Sequence, residues 1–172
     1  DFENTKNKLK DALTTNEMVI VSGGISVGDY DFVARALKEL QVQTLFYKVN
    51  QKPGKPLFAG KLRNKVVFAL PGNPAACLTC FYVYVLPALK KMLGLELVHI
   101  PKIKRKINVD FQNTTGKSLF LKGFYSDENV EVLESQSSAM LNTFAIANGF
   151  VFIPYDCSII KKNQEVIVLP FK

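Results

Sequence analysis

Three short segments in the first half of this 172-residue chain carry residue types suited to chemistry on an anion. The first is Ser22-Gly23-Gly24-Ile25-Ser26-Val27-Gly28-Asp29-Tyr30-Asp31-Phe32. Its glycines let the backbone turn tightly and bring N–H groups against a ligand, and the N–H groups of a helix start favour negative charge. Ser22 and Ser26 add hydroxyl donors for phosphate oxygens. Asp29 and Asp31 would repel a phosphate unless a cation stood between them, so they point to Mg²⁺ beside a phosphate or to carboxylates facing another part of a substrate. The plainer alternative is a tight turn whose aspartates cap the next helix.

The second segment, Lys52-Pro53-Gly54-Lys55-Pro56, holds two ammonium groups on a turn stiffened by two prolines. Such a turn loses little freedom when it closes on an oxyanion; its alternative is a solvated loop. The third, Leu70-Pro71-Gly72-Asn73-Pro74, reads as a strand-to-helix connection with a possible anion site at the helix start. Its alternative is a well-made helix N-terminus, with Asn73 as cap and Pro74 at the first position. Together the segments offer N–H donors, two lysines and two carboxylates. The single histidine, His99, lies outside all three, so no Ser/His/Asp or Cys/His nucleophile is visible. Phosphate or oxyanion chemistry run by positioning and electrostatics is the reading these residues favour.

The elements that must hold these segments follow from periodicity. Leu9, Ala12 and Leu13 mark a helix over 3–14. Met18-Val19-Ile20-Val21 reads as a buried parallel strand. Phe32, Val33, Ala36, Leu37 and Leu40 share a helix face. Strands are expected at 44–49, 57–59 and 66–70, the last two around an Arg63-Asn64 turn. A long apolar helix follows Asn73 to about Met92, stopped by Gly94. Near residue 97 the pattern becomes short and β-like: Ile107, Val109 and Phe111 alternate, as do Val130 with Val132 and Val166 with Val168, with one short helix at 138–147. The chain thus divides into an α/β domain over 1–95 and a β domain over 96–172.

Composition narrows the partners. Hydrophobic residues make up 48%, enough for a real core, and the net charge of +7 suggests an anionic partner. The lysines are scattered, without the basic stripe and interleaved aromatics expected of nucleic-acid binding. No apolar run reaching the roughly 20 residues of a bilayer span is expected, nor a signal segment. Three cysteines fit a reducing, cytoplasmic setting better than a disulfide framework. Cys77 and Cys80 match C-x-x-C but fall within an apolar helical pattern, as two small side chains on a core face. The start at Asp1 suggests a piece of a longer protein.

Read in order, SGGISVGDYDF, QKPGKPLF and ALPGNPAA resemble the signature of the MoeA family, whose relatives include the E domain of gephyrin. The resemblance implies a three-layer, MogA-like, molybdopterin-binding α/β domain with a mostly parallel sheet, followed by a small β-barrel. It implies a Mg²⁺-dependent transferase that inserts molybdate into adenylated molybdopterin and releases AMP, acting as a homodimer in the full-length protein. By position, Ser26 and Asp31 match active-site residues, with Asp31, and less firmly Asp29, at the metal. Lys52 and Lys55 match residues that hold molybdate or phosphates. Ser22, Gly23, Gly24 and Gly28 match the phosphate-side turn, and Pro71, Gly72, Asn73 and Pro74 the pocket loop. An acidic pair is expected near Asp1, Lys117 stands where an arginine is common, and Ser135-Gln136-Ser137-Ser138 resembles a substrate-facing stretch. Alternatives are a molybdopterin adenylyltransferase, against which KPGKP and the β domain argue, and a non-catalytic scaffold or receptor-binding module. Asp31→Asn is expected to abolish insertion in the full-length protein with its thermal melt unchanged; activity that survived would remove Asp31 from this role.

Overall fold

The computed structural model describes residues 1–25, 32–138 and 141–171. Helix α1 (Phe2–Thr15) starts at Asp1, whose Oδ1 accepts the Asn4 N–H at 2.7 Å, so this acid acts as an N-cap. Strand β1 (Met18–Ser22), helix α2 (Phe32–Glu39), and strands β2 (Gln43–Tyr47), β3 (Gln51–Lys52), β4 (Phe58–Leu62) and β5 (Lys65–Leu70) follow. Four of the strands form one sheet in the order β1-β5-β4-β2. The period-2 alternation of β5 feeds two cores. Val67 and Ala69 join Leu9, Leu13, Val33 and Leu37 of α1 and α2 on one face, while Phe68 and Leu70 face a second helical layer.

Three layers are therefore present, but the expected mostly parallel sheet is not. β1–β5 is parallel, whereas β5–β4 and β4–β2 are antiparallel. The reason is connection length. Leu62 pairs with Lys65 across the Arg63-Asn64 turn, and a link that short can only reverse the chain, whereas parallel neighbours need a long crossover. β1 is also less covered than expected of a buried strand, since Ile20 is exposed.

The second helical layer is one continuous run: α3 (Pro74–Cys80), a π turn (Phe81–Val85) and α4 (Leu86–Met92). Within the π turn the Leu86 N–H reaches back to the Phe81 carbonyl. Pro87, just beyond, has no N–H to give and its ring crowds the preceding turn, so a locally widened turn is where the helix absorbs it. Gly94, at φ 73, ends the run: its N–H donates to Lys91 O and that of Leu95 to Lys90 O. This pair of bonds satisfies the last carbonyls and requires the left-handed residue between them. By length and composition Pro74–Met92 is long and apolar enough to cross a membrane, which corrects the expectation that no such segment is present. Here Phe81, Tyr84, Val85 and Ala88 pack on the sheet, and Tyr82 and Val83 pack on the next unit.

That unit is a closed barrel. Strands β6 (Ile103–Ile107), β7 (Phe111–Gln112), β8 (Ser118–Tyr125) and β9 (Asn129–Val132), helix α5 (Asn142–Ile146), and strands β10 (Gly149–Ile153), β11 (Ile159–Ile160) and β12 (Glu165–Pro170) follow in order. Five of them close a ring β8-β10-β12-β6-β9, with β9 returning to β8. Leu119, Leu121, Val130, Val151, Val166 and Val168 fill its interior. Val109, expected in the alternating pattern, is exposed beyond the end of β6.

The outer face of the barrel carries an aromatic cluster against the long helix. Phe150 is fully buried and meets Tyr82, Phe120, Phe144 and Phe171 edge-on, while Tyr82 stacks on Phe171 at 4.9 Å. Offset and edge-to-face pairs of this kind add to their burial energy. Phe150→Ala is expected to lower the unfolding free energy by about 3–5 kcal/mol, read from urea titration; a loss below about 1 kcal/mol would show that the site collapses without cost.

Candidate functional site

A pocket of about 720 Å³ lies at the seam between the α/β layers and the barrel. Strand β3 makes that seam. Gln51 and Lys52 pair in parallel with Ser118 and Leu119 of β8, so a segment from the α/β half becomes an edge strand of the barrel. Asn50 reinforces it: its Nδ2 donates to Gly116 O at 3.1 Å and its carbonyl accepts the Ser118 N–H. The Lys52-Pro53-Gly54-Lys55-Pro56 turn therefore follows directly on a strand paired with β8, and Lys52, Lys55 and Lys117 all line the pocket. Among the described residues no Asp or Glu lines it, and none of the three lysines forms a salt bridge with a described residue.

Each lysine rides on a backbone held from beneath. The KPGKP turn folds back on itself through Val49 N–H to Lys55 O at 3.0 Å and Lys48 N–H to Leu57 O at 2.8 Å. Under it lies Gln51, which is buried. Its Nε2 donates to Pro53 O at 2.9 Å, and its Oε1 accepts the Tyr84 hydroxyl. Cys80 closes the same contact, with Sγ 3.7 Å from Gly54 O. Gly54 has φ 90, and a Cβ there would collide with Cys80 Sγ. Only glycine meets both conditions, which is why the turn can press against the long helix. Lys117 is held by a different device. Asn113 donates to the Lys117 carbonyl at 2.9 Å while its Oδ1 accepts both the N–H and the hydroxyl of Thr115, a side-chain-closed turn.

The third wall is the 133–138 strap. Gln136, Ser137 and Ser138 line the pocket, and Ser138 reaches the start of the long helix. Its carbonyl accepts the Ala75 N–H at 3.0 Å and its Oγ accepts Asn73 Nδ2 at 3.2 Å. This revises two expectations. Asn73 stands at the N-cap position but makes no capping side-chain bond, and a helix N–H expected to meet an anion is already used by the strap. Pro74 does occupy the first turn.

The structure thus brings Lys52, Lys55, Pro71 and Asn73 into one pocket, together with Lys117, Ser137 and Ser138. Ser22, Gly23 and Gly24 lie at the carboxyl end of β1, next to the PGNP loop. Gly23 N–H donates to Leu70 O at 3.1 Å, and Gly23 Cα lies 3.5 Å from where a Cβ on Gly72 would stand. They neighbour the pocket wall without lining it. Ser26, Gly28, Asp29 and Asp31 lie outside the described residues. Among the described residues no three His, Cys, Asp or Glu side chains gather where they could hold a metal ion. Gln51 and Asn113 escaped the sequence reading as supports, because the Tyr84 partner of Gln51 is 33 residues away and Asn113 lies in an unremarkable polar turn.

Residues 1–91 match the model of a probable molybdopterin binding domain, and residues 104–171 that of the MoeA C-terminal region, domain IV. A molybdopterin molybdenumtransferase of Staphylococcus epidermidis is 33% identical over 158 residues, which is 90% of this chain and 38% of the relative. One from Haemophilus influenzae is 32% identical over 161 residues, 90% of this chain and 40% of the relative. The crystal structure of the molybdopterin biosynthesis moeA protein from Pyrococcus horikosii superposes with a TM-score of 0.82 at 30% identity, over 100% of this chain and 41% of that one. The chain spans about two fifths of the length of these relatives.

Burial beneath the KPGKP turn also sets its acid–base behaviour. Desolvation pushes the Cys80 thiol from 9.0 up to about 12, and the Tyr84 phenol from 10.0 up to about 12. It raises Cys77 as well, so the C-x-x-C pair is a protonated core face and not a poised redox couple. Because both acids are raised in the fold, their contribution to stability is complete below pH 9 and is lost as pH climbs toward 12. The denaturation midpoint is expected to hold to about pH 9 and then fall, with Cys80 unreactive toward Ellman's reagent at pH 8 until the chain unfolds. Rapid labelling of Cys80 in the folded protein would contradict this placement.

Proposed function

The chain belongs to the MoeA family, which serves molybdenum cofactor biosynthesis, and from that membership we propose that its seam pocket holds the oxyanion end of a molybdate insertion into adenylated molybdopterin that releases AMP. The observation that carries this reading is the convergence of Lys52, Lys55 and Lys117, from two separate loops, on one pocket whose described lining has no carboxylate. Three like charges repel one another, and an oxyanion between them relieves that repulsion. A doubly charged tetrahedral oxyanion suits such a cage, since each ammonium can donate a charge-assisted hydrogen bond to a different oxygen. Ser137 and Ser138 add polar contacts from the strap. Phe111, Leu119, Phe120 and Leu121 give the same cavity an apolar side, so it offers room and surface for an organic substrate beside the anion.

In this reading the residues act by holding and orienting. The lysines neutralise the entering oxyanion, and the rigid turns beneath them keep its oxygens in one orientation toward the organic partner. Magnesium enters the proposal only through Asp31 and Asp29. The described pocket lining offers a hard cation no carboxylate, so charge neutralisation rests on the lysines there.

Calorimetric titration of this chain with molybdate tests the site. Binding is expected, and Lys52→Ala or Lys55→Ala is expected to weaken it by about tenfold or more, the scale of a lost hydrogen bond to a charged group. Affinity indifferent to both substitutions would sink the proposal. In the full-length protein, AMP release from adenylated molybdopterin separates insertion from the adenylyltransferase alternative, which would instead consume ATP.

A further inference from the structure

Lys122 is a buried cation that does not line the pocket but is bonded to the segment that does. It lies on β8, 3% exposed. Its ammonium donates to Ser135 O at 2.9 Å and to Ser137 O at 3.3 Å, and it stands 5.7 Å from the centre of the Phe144 ring. The backbone of the same residue is clasped from the strap. Lys122 N–H donates to Gln136 Oε1 at 2.9 Å, and Gln136 Nε2 donates to the carbonyls of Lys122 at 2.9 Å and Leu133 at 2.6 Å. Thr143 adds a bond from its hydroxyl to Ser135 O at 3.3 Å. The strap is thus tied at its near end to one barrel residue, through side chain and main chain together. Its far end, Ser138, is tied to Ala75 and Asn73 on the α/β half.

We propose that Lys122 is a positioning residue for the pocket: by fixing the Ser135 and Ser137 carbonyls it holds the strap in the arrangement that turns Ser137 and Ser138 toward the oxyanion. This inference rests on the oxyanion reading of the pocket. A side chain needed only to fill space on this face would be cheaper as an apolar residue, because an ammonium loses its hydration on burial and regains it only through well-placed acceptors. Burial does lower the Lys122 pKa. The Ser135 and Ser137 carbonyls return part of that cost, and both belong to the strap. A Ser135 held at φ 59 lets the strap turn back so that both can face one ammonium.

Lys122→Met and Lys122→Arg in this chain test the proposal with two readouts: molybdate affinity by calorimetry, and hydrogen exchange at the Ala75 amide, which donates to the strap. The amides of β10 report on the barrel itself. The Met variant is expected to keep β10 protection, bind molybdate about tenfold more weakly, and exchange the Ala75 amide faster. The Arg variant, which keeps the charge and the donors, is expected to restore both. A folded Met variant with unchanged affinity and unchanged Ala75 protection overturns the positioning role, as does an Arg variant no better than Met. Should the Met variant not fold, Lys122→Gln, which keeps a donor for the Ser135 carbonyl without the charge, carries the same comparison. If wild type binds no molybdate, the oxyanion reading fails, while Ala75 exchange still judges whether Lys122 holds the strap.

Discussion

Two rungs of backbone pairing make this molecule's candidate site possible. Gln51 and Lys52 pair with Ser118 and Leu119, and this is the point at which the α/β half enters the barrel sheet. It sets the KPGKP turn beside the Lys117 turn, so that three lysines share one cavity. A pairing of two residues is weak alone, since short strands gain little beyond the entropy they lose. It persists because the Pro74–Met92 helix packs on both sides of the seam, with Cys80 and Val85 against the sheet and Tyr82 and Val83 against the barrel. The aromatic cluster around Phe150 thus supports the pocket from a distance, by keeping the two halves in register.

The pocket also combines concentrated positive charge with firm support. Exposed lysines usually hold their charge in water on mobile stems. Here the backbone beneath each is fixed by groups that are themselves buried or bonded: Gln51 and Gly54 under the KPGKP turn, Asn113 under Lys117, and Gln136 with Lys122 under the strap. Preorganisation of this kind lowers the ordering cost that a ligand would otherwise meet. It also explains the buried polar residues of this region: their hydrogen bonds go to backbone groups of the pocket walls.

Much of the fold was legible locally. The helix over Pro74–Met92, its Pro74 start and its Gly94 stop follow from residue types that act within one turn, and so does the Arg63-Asn64 reversal. The barrel strands around Val130 and Val166 follow from period-2 alternation. The mostly parallel sheet is an expectation of the family resemblance, whereas the two-residue Arg63-Asn64 turn makes β4 and β5 antiparallel and the sheet mixed. Val109 shows the limit of alternation: it continues the rhythm of Ile107 yet falls where the strand has ended.

By itself, then, the sequence determined the loops that could carry chemistry, because glycine, proline and lysine act through local backbone geometry and charge. It also determined the family, because three such loops follow one another in order. Only the tertiary structure decided which of those residues share a site. Lys52 and Lys55 meet Lys117 across more than 60 positions of chain, joined by β3 and β8, and Ser22 to Gly24 are turned toward Gly72 outside the cavity. It also decided that Lys122 is a buried tie and not another solvated lysine. Those outcomes depend on long-range pairing and on desolvation, and neither leaves a periodic mark on the residues that undergo it.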